Sequence, residues 1–188
     1  KIMWWVIIAL IPVTLVSFWF FGLGAFVLTI TSVVSCIFIE FLIQKYLLKG
    51  KPSIKDGSAI ITGILLALNV PSNLPVWMMF VGAVVAIGVG KMSFGGLGKN
   101  PFNPALVGRV FLLISFPVEM TSWPLPTVNN MLLADAVTGP TSLGVLKGAV
   151  AMGQTIPEIM GNLPSYTDMF IGNKTGSLGE VSALAILL

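Results

Sequence analysis

Ser58–Val70, SAIITGILLALNV, is an apolar run that ends against Pro71-Ser72-Asn73-Leu74-Pro75. At 1.5 Å per residue its 13 residues rise about 20 Å, short of the ~30 Å hydrocarbon core of a bilayer. Such a helix is half a span. A chain break at that depth is tolerated only where protein or a cavity pairs the freed backbone groups.

Composition agrees with a membrane setting. The chain of 188 residues is 56% hydrophobic and 9% charged, with mean hydropathy +0.98, against roughly 25% charged residues in a soluble domain. One domain is the prior at this length. The net charge of +3 says less than where the charges sit, and no nucleic-acid partner is expected. There is no His, which removes the usual haem ligand and the commonest metal ligand. Cys36 is the single cysteine and cannot hold an iron–sulfur cluster alone. Redox chemistry would have to come from an organic cofactor or a neighbouring subunit.

On the N-terminal side, Ile2–Phe21 is a run of spanning length interrupted by Pro12, and 24–44 follows almost at once. The two read as a transmembrane hairpin, with Cys36 as a buried structural thiol and Glu40 either snorkelling to the interface or serving as an ion-pathway carboxylate, the former preferred. Lys45, Lys49, Lys51 and Lys55 then cluster, and the positive-inside rule places their loop in the cytoplasm. Beyond the broken segment, Val76–Gly90 carries Gly82, Ala86 and Gly90 at every fourth residue, a stripe that lets another helix approach closely. Lys91 is expected to end that helix back at the cytoplasmic face.

Ser93–Pro104 is rich in glycine. It is no phosphate loop, since no Ser or Thr follows Gly98-Lys99 and no strand precedes it. It reads instead as a re-entrant or unwound segment. Pro104–Phe116 is the second short apolar helix, with Pro104 suited to a first helical position. Arg109 falls on its second turn; holding an anionic cofactor group, pairing with an acid and snorkelling all stay open. Pairs of short helices bounded by Pro and Gly point to a site at the repeat interface of transporter-like folds.

The fold expected is therefore an all-α polytopic membrane protein, a transporter-like bundle of broken or re-entrant helices with internal repeats. Residues 1–117 form a first repeat, 118–177 an outer loop region and 178–188 the start of a further helix. Val-Ser-Ala at 181–183 faintly echoes Gly-Ser-Ala at 57–59. Both ends look cut, and further helices are expected beyond them. Within the outer region, 143–152 and 156–160 read as short interfacial helices and the rest as an irregular lid.

Several blocks carry a resemblance. Asp56-Gly57-Ser58-Ala59, Leu66–Pro71, Phe94–Gly98, Asn100–Ala105, Val107-Gly108-Arg109, Leu112–Pro117 and Gly176–Glu180 resemble the RnfD component of the Rnf electron-transport complex. They are similar, less closely, to the NqrB component of the sodium-pumping NADH:quinone oxidoreductase. The resemblance implies a membrane subunit of a ferredoxin:NAD oxidoreductase that relays electrons, coupled to Na+ or H+ movement, without a complete active site of its own.

It also implies an FMN joined through its phosphate to a Thr hydroxyl, in the pattern Asp-x-x-(Ser/Thr)-Gly-Ala-(Thr/Ser). Asp135, Thr138 and Gly139 match, Thr141 holds the acceptor position, and Pro140 stands where Ala is usual. Partners implied are the other Rnf subunits, a flavin transferase and the lipid bilayer. The location implied is the cytoplasmic membrane of a bacterium or archaeon, with the Thr141 loop outside. Trp123 lies in the same outer region, placed to pack on the ring or to anchor at the interface. A second, non-covalent flavin, riboflavin being the candidate, would be sought near Asn100, Asn103 and Arg109. Two rivals remain: a channel, suggested by Asn103-Pro104-Ala105, and a flavin-free scaffold.

Overall fold

The computed structural model describes residues 2–49, 56–126, 138–154, 163–180 and 182–187. Helix α1 runs over Ile2–Leu42 and would be about 60 Å long if straight. It is not straight: Gly22, at φ 59° and ψ −140°, leaves the helical region, and glycine adopts such angles at no steric cost. Both ends of α1 return to the same place. Ile7 and Trp4 lie against Gly57, while Glu40 and Ser58 share the ammonium of Lys91. The chain therefore reverses at Gly22, and each arm is about 30 Å long, the thickness of a hydrocarbon core. Phe18 and Phe26 pack edge to face across the reversal, centroids 5.5 Å apart.

Helix α2, Ser58–Leu68, packs into this hairpin. A Cβ on Gly63 would stand 2.6 Å from the Val33 Cα, and the Ser32 hydroxyl donates to the Gly63 carbonyl at 2.7 Å. Helix α3, Val76–Val84, continues through a π-helical turn over Val85–Val89. Helix α4, Pro104–Ser115, starts with Pro104 at its first position, and Asn103 Oδ1 accepts the Ala105 N–H at 3.0 Å. The small-residue stripe serves packing within the chain. A Cβ on Gly82 would meet Leu112, and one on Gly108 would stand 2.8 Å from the Gly82 carbonyl oxygen.

The short α2 ends among buried residues, and its last carbonyls need partners. The turn at 177–180 supplies them: Gly179 N–H donates to Leu68 O at 2.8 Å and Leu178 N–H to Val70 O at 3.4 Å. The Ser17 hydroxyl donates to Leu178 O at 2.5 Å, tying the segment to α1 as well. A Cβ on Gly179 would stand 2.9 Å from the Leu68 Cβ, so the approach needs glycine.

Beyond α4 come α5 (Pro117–Thr121), β1 (Trp123–Pro124), β2 (Thr138–Gly139), α6 (Ser142–Ala151), α7 (Tyr166–Ile171) and α8 (Ala183–Leu187). The β1–β2 pair qualifies the all-α expectation, though only by two residues a side. The expected helix at 143–152 is α6; the one at 156–160 lies outside the described residues. Two helical stretches, Ile2–Leu47 with its reversal and Val76–Phe94, are long and apolar enough to cross a membrane. Trp5, Trp19, Val34 and Phe38 of α1 are exposed, an apolar surface suited to lipid or partner subunits.

One expectation is corrected: Glu40 does not snorkel to the interface but is buried against Lys91. The two are 1% and 2% exposed and form an ion pair at 2.5 Å. Lys91 Nζ also donates to Ser58 Oγ at 2.6 Å, Gln44 Nε2 donates to Glu40 Oε1 at 3.1 Å, and Asp56 Oδ1 accepts from the Ser58 N–H and hydroxyl. Burial leaves each charge no alternative to its partner. Cys36 is buried and free, as its reading requires.

Removing one charge strands the other, so Glu40→Leu or Lys91→Met should each cost about 3–5 kcal/mol, while the double variant regains much of it. Thermal unfolding of detergent-purified protein measures this, and equal losses in single and double variants would contradict it. Gly63→Val, by forcing a Cβ into the α1 backbone, should lower the melting temperature, at a cost of about 1–3 kcal/mol or more.

Candidate functional site

The polar turn before α6 is held at three points. Antiparallel pairing sets Trp123 opposite Gly139 and Pro124 opposite Thr138. Pro124 and Pro140 lack N–H groups, which limits the ladder to these two residues. Pro140 also biases the residue before it toward the extended state, and Gly139 is extended in β2. The third point is Thr175, whose hydroxyl donates to the Pro140 carbonyl at 2.9 Å.

Thr141 follows at φ −64° and ψ 156° and is the N-cap of α6; its Oγ1 accepts the Gly144 N–H at 3.2 Å. A β-branched hydroxyl residue in extended conformation is well suited to that position. The side chain is half-buried. Its oxygen lies at the end of a ten-residue helix whose first N–H groups have no intrahelical partner and whose dipole favours negative charge. Thr138 and Gly139 lie immediately beside it in β2, and Trp123 is their cross-strand neighbour. Asp135 lies outside the described residues.

The other candidates do not converge on one place. Asn103 caps α4, and Asn100 Nδ2 donates to Phe102 O at 3.1 Å. Arg109 is six residues beyond Asn103, about 9 Å along the helix axis. Its Nη1 donates to Asn69 Oδ1 at 3.1 Å, and Asn69 is itself oriented by donating to Leu65 O at 2.7 Å. Arg109 lines a cavity of about 420 Å³ together with Asn69, Ser177 and Glu180; Asn100 and Asn103 do not line it. Asn69 and Glu180 were not singled out from the sequence as site residues. Their signal was present, since each is a polar residue at or near the end of a block of the resemblance.

A further polar unit lies at α7. Ser165 caps α7, accepting the Asp168 N–H at 3.1 Å while its hydroxyl donates to Asp168 Oδ2 at 2.5 Å. That hydroxyl holds the Asp168 carboxyl below the usual aspartate value, with help from Asn173.

Half-length helices joined by unwound backbone, with a threonine presented at a helix N-terminus outside their core, define a largely helical apolar protein of membrane type with a polar turn. The chain belongs to the NQR2, RnfD, RnfE family, which it matches over residues 1–188. It is 45% identical over 185 residues to the D subunit of the Na(+)-translocating ferredoxin:NAD(+) oxidoreductase complex of Acetobacterium woodii, covering 97% of this chain and 54% of that protein. To the D subunit of the proton-translocating ferredoxin:NAD(+) oxidoreductase complex of Clostridium ljungdahlii it is 38% identical over 189 residues, all of this chain and 55% of that one. To the D subunit of the ion-translocating oxidoreductase complex of Stutzerimonas stutzeri it is 38% identical over 207 residues, all of this chain and 58% of that one. The chain thus spans about half the length of the curated relatives it matches.

A lowered carboxyl contributes stability that is complete above its unfolded value of 3.8 and is lost as pH falls through the folded value. A carbon-13 NMR titration of Asp168 should give a midpoint below that of free aspartate, and Ser165→Ala should move it upward. Identical midpoints in the two proteins would contradict the assignment of the shift to the hydroxyl.

Proposed function

We propose that this chain is part of the D-type membrane subunit of an ion-translocating ferredoxin:NAD+ oxidoreductase, relaying electrons through FMN bonded by its phosphate to Thr141. The observation that carries this reading is the presentation of Thr141 as the N-cap of α6, beside Thr138 and Gly139, in a chain of this family. The residues present suit the group. An ester at Oγ1 keeps a negative charge, and the first amides of α6, with Gly144 among them, are placed to meet it. When bound, FMN would supply the electron-carrying chemistry that a chain without His and with one Cys lacks. The chain's own part is to hold the hydroxyl at the outer edge of the β1–β2 pair.

The membrane reading extends to topology. The α1 arms, α3 with its π-helical turn, and the half-length α2 and α4 make a polytopic bundle. The lysines between α1 and α2 mark the cytoplasmic side. The chain from β1 to α7 then lies outside, where a flavin transferase would act on Thr141. Coupling to Na+ or H+, assembly with the remaining subunits, and repetition of the broken-helix unit belong to the whole protein. Asn100 and Asn103 do not line the cavity beside Arg109; for riboflavin as a second, non-covalent cofactor, the unwound loop bearing the two asparagines is the place to seek it.

Co-expression with a flavin transferase followed by denaturing electrophoresis should give a fluorescent wild-type band that disappears in Thr141→Val. A dark wild-type band, with the transferase active on a control substrate, would overturn the attachment and bring the flavin-free scaffold and channel readings forward.

A further inference from the structure

Arg109 is a half-buried cation, and among the described residues no carboxylate lies within ion-pair distance of it. Its one hydrogen bond there, to Asn69 Oδ1, leaves four of its five N–H donors on a side chain that lines the 420 Å³ cavity. Glu180 lines the same cavity and accepts from Ser177 Oγ at 3.3 Å. The facing wall is hydrocarbon, including Leu10 and Val13 of α1 and Leu65 of α2. Arg109 is half-buried and Glu180 stands exposed at the rim. A cavity of this size with few polar groups and an apolar wall has the form of a small-molecule site.

The cavity is joined to the Thr141 turn by one short stretch of chain. Thr175 bonds the Pro140 carbonyl, and two residues later Ser177 is in the cavity wall, at most about 7 Å along the backbone. Leu178 and Gly179, which follow, are fixed to Val70 and Leu68. The attachment turn and the cavity are thus two ends of one anchored segment.

We propose that the isoalloxazine ring of the flavin on Thr141 seats in this cavity, its pyrimidine edge toward Arg109 and Glu180 and its dimethylbenzene edge against α1. The inference rests on the attachment reading above. The pyrimidine edge presents carbonyl acceptors on either side of an N–H donor. Arg109 supplies donors for the carbonyls, and Glu180 supplies an acceptor for the N–H. A quinone offers acceptors alone and would make no hydrogen bond to Glu180; a free inorganic anion would meet Arg109 but be repelled by Glu180. Arg109 also faces the edge at which a reduced ring carries negative charge, so it raises the flavin's reduction potential, while Glu180 lowers it.

The test uses the full-length protein co-expressed with the transferase, as wild type, Arg109→Leu, Arg109→Lys and Glu180→Gln. In-gel fluorescence first confirms that each carries flavin. Dithionite titration under visible absorbance then reads the potential, with the residual signal of Thr141→Val subtracted so that only the covalent flavin counts. Arg109→Leu should shift the potential downward and expose the ring to iodide quenching, Arg109→Lys should restore part of the shift, and Glu180→Gln should shift it upward. Should Arg109→Leu fail to fold, the exposed Glu180 decides. Loaded variants with wild-type potential and wild-type iodide protection would overturn the seat alone. An unloaded wild type would overturn the attachment, and the seat with it.

Discussion

Leu68 and Val70 have carbonyls at the end of a helix too short to cross a bilayer, and the N–H groups of Gly179 and Leu178 meet them. The constraint behind this contact is that backbone polar groups in an apolar interior must be paired. It is met by the turn at 177–180, which the Glu180 N–H closes onto Ser177 O. It demands glycine at 179, and the same turn is tied to α1 through Ser17. Thr175, and through it the Thr141 turn, takes its place from the same anchored segment.

Opposite this, the buried node of Glu40, Lys91, Ser58, Asp56 and Gln44 ties the end of the hairpin, the start of α2 and the end of the α3 unit together. π-helical turns lie just beyond Glu40, at Ile43–Leu47, and just before Lys91, at Val85–Val89. Such turns insert an extra residue into the helical repeat and occur often at functional sites. The broken helices between the two anchoring regions give the cavity around Arg109 its rigid walls.

Much of the fold was legible because its signals are local. Pro104 after Asn103 marks the start of α4, the length of 58–70 marks a half helix, and Gly22 falls between two runs of spanning length. What was not legible is long-range. Glu40 reads as a snorkelling acid because its partner lies 51 residues further on, and nothing in either run announces the other. Arg109 stayed open among three roles for the same reason, since Asn69 precedes it by 40 residues. The Thr141 turn was readable as a motif through its resemblance. Its support by Trp123 and Thr175 was not, because a two-residue strand pair and a hydroxyl bond across 35 residues leave no periodic trace.

The most direct measurement is peptide mass spectrometry of the protein made with its transferase, with fragmentation to locate the modified side chain. The account predicts a peptide spanning residues 138–147 heavier by one FMN less water, the addition residing on Thr141 and on neither Thr138 nor Ser142. An unmodified peptide in the presence of active transferase, or the addition on another side chain, would contradict it.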